Sequence, residues 1–388
     1  MTFTETFKRL LLMGGGFAAA FGLVLPLFAG EAGSVTVWDE TGVMIFMLLV
    51  FVISAQNVIS LMNPAQKGGW FDGPAGDALI AVAAHLGAWE LLSALSGHPG
   101  AAGGGFWALL VAAWLTGWQF VDRLANRQVT SRTVQRVVTV VIPLLFGVWV
   151  LILWQALVTG FGVPKVLLPA PSEIWLRLVG GFPTPLWEDF RQTFLKAVLI
   201  GYAIGCGSGF LVAILVDRVP FLRRGLLPVG NLVSALPVVG VAPIMVMWFG
   251  FDWPSKAAVV IIMTFFPMLV NTVSGLAASD HMQRDLMHTY AASYWQSLIK
   301  LRLPQALPFI FNALKINSTL ALIGAIVAEF FGTPTVGMGF RISTEVGRMN
   351  VDMVWAEIAV AALAGSIFYG VMTLLERVFT FWHPSFRT

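Results

Sequence analysis

Long apolar runs follow one another along almost the whole chain, and short polar segments separate them. Each run is close to the roughly 20 residues that an α-helix needs to cross about 30 Å of hydrocarbon. The pattern therefore predicts an all-α polytopic membrane protein with about ten transmembrane helices. The ten runs lie near residues 10–29, 42–62, 78–96, 105–121, 137–158, 193–216, 226–249, 256–278, 307–330 and 354–375.

Basic residues occupy alternate polar segments between these runs. An even number of crossings places both termini on one side, and Lys and Arg are enriched on the cytoplasmic side of membranes. The sequence therefore predicts that both termini are cytoplasmic, and that the first run is an uncleaved anchor. The basic segments contain Lys8, Arg9, Lys67, Arg123, Arg127, Arg132, Arg136, Arg218, Arg223, Arg224, Arg284, Lys300, Arg302, Arg377 and Arg387.

Composition agrees with solvation by lipid. Hydrophobic residues make up 57% of the chain, charged residues 11%, and the mean hydropathy is +0.82. A soluble fold would have too few charged groups to cover its surface. The net charge of +3 is spread over short loops, so no nucleic-acid partner is indicated. The single cysteine, Cys206, excludes an intramolecular disulfide and a cluster of thiolate ligands.

One polar segment, residues 285–308, contains aromatic and basic residues with helical spacing between two apolar runs. Small residues around Ala291 allow close approach, the rings of Tyr294 and Trp295 are suited to insertion, and the Pro304 step predicts the end of a docking helix. The candidate coupling residues are Asp285, Ala291, Tyr294, Trp295, Lys300, Arg302, Leu303 and Pro304.

This segment resembles the cytoplasmic coupling loop of bacterial ABC importer permeases, whose pattern is roughly E-A-A-x3-G-x9-I-x-L-P. Aligned on Leu303 and Pro304, the acidic position of the pattern falls on Asp285 and its glycine on Ala291, while Leu286 and Met287 replace its two alanines. Further stretches are similar to the nitrate/sulfonate/taurine-type permeases. They are LPAPS at 168–172, ALPVVGVAPIMVMWFGF at 235–251 and FFPMLVNTVSGL at 265–276.

The resemblance implies a type I importer permease core in the last six helices, residues 132–388, with its coupling loop at 280–306. Residues 1–131 form an N-terminal four-helix extension that the family usually lacks. The implied partners are a cytoplasmic ABC ATPase dimer, an external solute-binding protein and a second permease copy, in a bacterial inner membrane. ATP-Mg would bind to the ATPase, because this chain has no phosphate-binding G-x-x-x-x-G-K-[ST] loop and no cofactor pattern.

Broken helices and polar residues at membrane depth point to a translocation pathway in the C-terminal half. For each proline, the alternative is a kink that serves packing alone. Lys315 is expected to extend toward the cytoplasmic side. Glu329 is expected near the outer mouth, as a gate or solute contact or as an interface residue. The candidate pathway residues are Pro237, Pro243, Asn271, Asn317, Thr319 and Glu329.

Two further patterns belong to the predicted outer face and the N-terminal part. Residues 168–178 predict an interfacial helix with Ser172 as its N-cap and Trp175 in the headgroup belt. His85 and Glu90 lie on different faces of the third run, so a proton relay is disfavoured against a headgroup position for Glu90.

The solute is the least determined feature of the sequence. The sequences of residues 290–316 and 382–387 most resemble those of the pyrimidine/riboflavin branch of the family, with nitrate or sulfonate as the alternative solute. An ion-coupled secondary transporter is the alternative from another class, but it would leave the docking helix without a purpose. The five histidines have no metal-ligand spacing, and no nucleophile motif predicts an enzyme.

Overall fold

A computed structural model describes residues 3–30, 33–62, 73–127, 131–182, 184–234, 237–332 and 336–382. Lys67, Arg387 and the rest of the chain ending beyond Trp382 lie outside the described residues. Contacts divide the chain into two compact units, Met1–Glu173 and Ile174–Thr388. The predicted functional boundary at 131–132 remains a prediction.

Within its described residues, the first unit contains five α-helices, a 3₁₀ helix at Val37–Asp39 and a short hairpin. The hairpin pairs β1 (Phe28–Gly30) with β2 (Gly33–Val35) in antiparallel register. Fully buried Phe28, Phe106 and Leu109 lie in the core of this unit. Its helices are α1 (Phe3–Val24), α2 (Thr41–Met62), α3 (Pro74–Ser96), α4 (Gly104–Asn126) and α5 (Arg132–Gly160).

The division between the units falls within α6 (Pro171–Gly181), so the helices after α6 belong to the second unit. They are α7 (Leu186–Phe190), α8 (Leu199–Arg218), α9 (Pro220–Ser234), α10 (Val238–Phe249), α11 (Trp253–Ala277), α12 (His281–Thr289), α13 (Tyr294–Ser297), α14 (Leu303–Glu329), α15 (Met338–Gly347) and α16 (Val351–Phe379). Two π-helical turns, Arg191–Val198 and Leu298–Arg302, join α7 to α8 and α13 to α14.

The all-α polytopic class predicted from the sequence is confirmed. Among the described residues, seven helical runs are long and apolar enough to cross a membrane. They are Pro74–Ser96, Gly104–Asn126, Thr133–Gly160, Leu186–Arg218, Trp253–Ala277, Tyr294–Glu329 and Val351–Phe379. The other three of the ten predicted runs contain shorter apolar helices, Met13–Val24, Thr41–Gln56 and Val238–Phe249.

The interruption expected at the prolines of the seventh run, 226–249, is seen in the structure. α9 ends at Ser234, and α10 begins at Val238 with Pro237 as its N-cap in extended geometry. Proline lacks the N–H that a helix interior needs and disfavours helical geometry in the residue before it, so the run is divided here.

Close packing in the second unit centres on α11, which lies against α8 and α14. Gly201, Gly205 and Gly209 line one face of α8 at intervals of four residues. A Cβ on Gly209 would lie 2.5 Å from the carbonyl oxygen of Phe265 on α11. Small residues at this spacing let two helix backbones approach each other in a membrane.

The N-cap predicted for α6 is corrected. The helix begins at Pro171, which places Ser172 inside the first turn. The Glu173 carboxylate accepts a hydrogen bond from the Ala170 N–H at 3.1 Å instead. An acidic side chain in the first turn suits the positive end of the helix dipole. Trp175 is 65% exposed, as an interfacial position requires.

Candidate functional site

The coupling segment, residues 280–306, folds as two helices joined by a tight turn. Asp280 is the N-cap of α12 and accepts a hydrogen bond from the Met282 N–H. α13 begins with a capping box in which Ser293 and Gln296 bond each other's backbone N–H. Both starts use the side chains that helix N-termini favour, so the local sequence determines where these helices begin.

Ala291 forms the turn between the two helices with a positive φ of 48°. The Ala292 N–H donates to the Met287 carbonyl at 3.0 Å, and the Ala291 N–H donates to the His288 carbonyl at 2.9 Å. This pair of bonds is the Schellman motif, in which the left-handed position is usually glycine. The glycine of the family pattern aligns with Ala291, so the turn explains that glycine, and this chain makes the turn with an alanine.

α12 presents an apolar face to its surroundings. Met282, Leu286 and Tyr290 are 77%, 56% and 77% exposed. They are four residues apart, so they lie on one side of the helix. We call these three residues the α12 face. The sequence pattern did not indicate this face, because Leu286 stands out only as a departure from the family's alanine.

The other half of the segment, α13 and the π-helical turn after it, is bound to Asp217 at the end of α8. Arg302 donates from Nη1 and Nη2 to the two Asp217 oxygens at 2.8 and 2.6 Å. The Tyr294 hydroxyl donates to Asp217 Oδ2 at 3.0 Å. Arg302 also donates to the Leu276 carbonyl at the end of α11. We call this group the Asp217 joint; two-pronged Arg–carboxylate pairs are strong and geometrically specific.

The aromatic pair therefore divides into two roles. Tyr294 is bound to Asp217, whereas Trp295 is 51% exposed. The Arg218 guanidinium lies over both rings, 5.4 Å from the Tyr294 centroid and 5.7 Å from that of Trp295. Such contacts are attractive because the ring faces are electronegative. Trp295 remains accessible for insertion into a partner, while Tyr294 orients the segment.

The remaining coupling candidates are Asp285, Lys300, Leu303 and Pro304, and the expectation for Pro304 is corrected. Asp285 and Lys300 are exposed. The prediction that Pro304 ends a helix is wrong, because one helical run continues from Tyr294 to Glu329 and Pro304 lies in the first turn of α14 beside Leu303. Proline cannot donate to the carbonyl four residues earlier, and the preceding turn is widened to π geometry, with the Leu303 N–H bonded to the Leu298 carbonyl.

At the opposite end of α14, Glu329 is part of a second polar group. It is 2% exposed and accepts from Thr193 Oγ1 and from the Gly339 N–H, both at 2.7 Å. The Met338 N–H donates to Thr193 Oγ1 at 2.8 Å. Glu329 was expected near an outer mouth; in the structure it is buried against Gly337 and Gly339 at the start of α15.

Asp189 extends this group, which we call the polar cluster. Fully buried, it accepts from the Gly337 N–H at 2.6 Å and from Arg341 Nε at 2.8 Å. Burial opposes the charge of Arg341, but the hydrogen bond and the charge of Asp189 raise its pKa. Three successive amides at the start of α15 are thus bound by side chains of the other helices. The polar cluster consists of Asp189, Thr193, Glu329, Gly337, Met338, Gly339 and Arg341.

Two more buried ionisable side chains lie near the polar cluster. Lys256 is 1% exposed and donates to the carbonyls of Phe251, at 2.5 Å, and Gly332. Glu357 is fully buried, and neither of its oxygens has a hydrogen-bond partner among the described residues. Sequence spacing gave no indication of either position, because these residues meet only through the tertiary fold.

The other pathway candidates are not gathered into one cavity. Asn317 is buried and donates to the Thr264 carbonyl at 2.8 Å, Asn271 donates to the Pro267 carbonyl at 2.8 Å, and Thr319 is exposed. Pro237 caps α10 and Pro243 lies within it. A cavity of about 80 Å³ lies beside Pro267, and apolar residues of α9, α10, α11 and α14 line it. The predicted polar candidates are absent from its lining.

Lys315 was expected to extend toward the cytoplasmic side. Its Nζ donates to Glu376 Oε2 at 2.7 Å, near the C-terminal end of α16. The pair is only partly exposed, and a charge in a membrane segment is stabilised by a partner of opposite sign.

Comparison with known proteins identifies the family of this chain. Residues 197–380 match the family described as the binding-protein-dependent transport system inner membrane component. The riboflavin transport system permease protein of Chloroflexus aurantiacus is 32% identical over 239 residues, which cover 61% of this chain and 87% of that protein. The formylaminopyrimidine transport permease protein of Halalkalibacterium halodurans is 31% identical over 244 residues, covering 62% and 95%.

A putative aliphatic sulfonates transport permease protein of Bacillus subtilis is 27% identical over 245 residues, covering 63% of this chain and 88% of that protein. The family match lies in the second unit and includes both the coupling segment and the polar cluster apart from Asp189 and Thr193. The relatives are transport permease subunits and not enzymes. This chain therefore belongs to the binding-protein-dependent inner membrane components, the permease subunits of ABC importers.

Proposed function

We propose that this permease imports a small heterocyclic solute of the riboflavin or formylaminopyrimidine kind. Its coupling to ATP hydrolysis is inferred from the structure of the coupling segment. This segment combines an exposed apolar α12 face with the hydrogen-bonded Asp217 joint. An exposed apolar face is suited to docking, and the joint holds the segment in one orientation. An ATPase dimer on the cytoplasmic side binds this surface, and ten crossings would then place both termini on that same side.

The energy for transport comes from the partner ATPase. The chain has no phosphate-binding loop, so ATP-Mg binds to the ATPase subunits. Their closure displaces the coupling segments, and a second copy of this permease provides the other half of the pathway. An external solute-binding protein delivers the solute. The ion-coupled alternative is not retained, because membership of the ABC importer family supplies an energy source and gives the docking surface a purpose.

Two relatives above 30% identity support the solute class. Their names specify riboflavin and formylaminopyrimidine, both ring compounds with polar edges. Relatives named for sulfonates and taurine are 27% and 26% identical. In addition, buried Lys256 and partly buried Arg341 already donate to carbonyl or carboxylate oxygens, which makes them poor binding partners for an anionic solute.

The experiment is uptake by proteoliposomes that contain the complete complex, with the solute-binding protein outside and ATP-Mg inside. Labelled riboflavin, formylaminopyrimidine, taurine and nitrate are compared, and matched vesicles filled with ADP give the background. ATP-dependent accumulation of riboflavin or the pyrimidine supports the proposal. Accumulation of taurine or nitrate alone would assign the permease to the anionic branch and overturn it.

A further inference from the structure

Two continuous helical runs span the distance between the coupling segment and the polar cluster. One runs from Leu186 to Arg218 and the other from Tyr294 to Glu329. The first has Thr193 near its start and Asp217 near its end. The second has Arg302 near its start and Glu329 at its end. At about 1.5 Å per residue, the 27 residues of α14 alone extend about 40 Å.

The two runs are bonded to each other at both ends. At the coupling-segment end, the Asp217 joint connects them through three hydrogen bonds from Arg302 and Tyr294, at 2.6 to 3.0 Å. At the other end, Thr193 Oγ1 donates to Glu329 at 2.7 Å. Relative sliding of the runs would break these short bonds together.

Bonds in the middle keep the runs in register. The Tyr202 hydroxyl donates to the Leu314 carbonyl at 3.0 Å, and Asn317 Nδ2 contacts Cys206 Sγ at 3.2 Å. Thr193 and Arg302, which make the end bonds, both lie in π-helical turns. Such turns are costly and occur frequently at functional sites, which favours a role for these positions beyond packing.

The polar cluster joins this pair to α15. Met338 donates its N–H to Thr193 of one run, and Gly339 donates to Glu329 of the other. A displacement of the paired runs therefore acts directly on the amides that begin α15. The connection is a chain of hydrogen bonds and rigid helices, the kind of network that carries coupling between distant sites.

We propose that Asp217 is the positioning residue through which the coupling segment controls the start of α15. Asp217 fixes the α13–α14 run to the α8 run, so movement of the coupling segment reaches the polar cluster as movement of both runs. The inference rests on the proposed function, since it needs an ATPase that moves the coupling segment.

The test is amide hydrogen exchange of peptides covering 336–347 in the purified complex with its ATPase, in nanodiscs. Nucleotide-free complex is compared with complex trapped by ATP-Mg and vanadate. In wild type, trapping accelerates exchange at residues 337–339 about tenfold, because the bonds to Thr193 and Glu329 open. Asp217→Asn retains the ATPase but responds less than about twofold, because a neutral amide cannot hold the two-pronged pair.

Tyr294→Phe is the second variant. It removes only one hydrogen bond to Asp217, so we expect it to fold even if Asp217→Asn does not. Its increase in exchange on trapping falls between the wild-type increase and no increase. Asp122→Asn, a matched change in the other unit, responds as wild type does. A full response in folded Asp217→Asn, a full response in Tyr294→Phe where Asp217→Asn does not fold, or no response in wild type would overturn the inference. Failure of wild type to retain any ATPase would overturn the proposed function instead.

Discussion

Ala291 shows how a family pattern can be understood from backbone geometry. Its φ of 48° is unfavourable for a residue with a Cβ, by about 1–2 kcal/mol. The family's glycine at this position removes that cost. The chain tolerates an alanine because two Schellman bonds and the capping box of α13 fix the turn.

We therefore expect Ala291→Gly to stabilise the turn. The local free energy of opening should rise by about 1 kcal/mol, because glycine adopts positive φ without strain. Hydrogen exchange at residues 290–292 would slow accordingly. Ala292→Gly is the matched control and should speed exchange, since Ala292 is not among the residues with positive φ. Faster exchange in Ala291→Gly would contradict this explanation of the turn.

Glu329 was predicted as a pathway residue. Its geometry supports a structural role, in which the carboxylate binds Thr193 and the start of α15. Both oxygens are bonded, to Thr193 and to Gly339. Glu329→Gln keeps one acceptor oxygen and replaces the other with a donor, so one buried partner loses its bond. The loss should lower stability by about 1–3 kcal/mol.

Thermal unfolding in detergent measures this effect, and Thr319→Val on the exposed side of the same helix is the control, with little change expected. If Glu329→Gln unfolded at the wild-type temperature while solute uptake fell, Glu329 would be a solute contact and the structural role would be wrong.

At the scale of elements, α8 gives a contrast between two glycines on one helix. A Cβ on Gly209 would meet the backbone of Phe265, whereas a Cβ on Gly207 would meet nothing within 4 Å. Gly209→Ala should therefore destabilise the second unit by about 1–3 kcal/mol, because α8 and α11 must separate.

Gly207→Ala should leave stability equal or raise it by up to about 1 kcal/mol, through helix propensity alone. Unfolding of both variants in the same detergent provides the comparison. Equal loss in both would show that the α8–α11 contact is not set by backbone approach.

The helices themselves were largely predictable, because apolar length determines what can cross a membrane. Their interruptions were predictable only in part. Pro237 divides a predicted span, whereas Pro304 interrupts nothing and instead lies in the first turn of α14 after a widened turn. Both outcomes follow from the missing N–H of proline, but only the surrounding turn decides which one occurs.

At the scale of the molecule, the segment proposed for coupling could be singled out from sequence because its polar character differs from that of the apolar runs around it. Asp217, Asp189 and the α12 face were missed. The partners of Asp217 are 77 and 85 residues away, and no local pattern encodes such a pairing. The first unit lies outside the family match at 197–380, so its role is not inherited from the relatives.

The most direct test of the account is co-purification of an ATP-hydrolysing subunit with this permease from its native membrane. Wild type, Leu286→Glu and His288→Glu are compared in nanodiscs, with ATP hydrolysis measured on each. Leu286 is on the α12 face, and His288 points about 200° away on the same helix, so the two variants place the same charge on different sides.

We predict an ATPase with wild type and with His288→Glu, and its loss with Leu286→Glu. Recovery of no such subunit with wild type, or equal recovery with all three chains, would contradict the coupling role of the α12 face and the central claim with it.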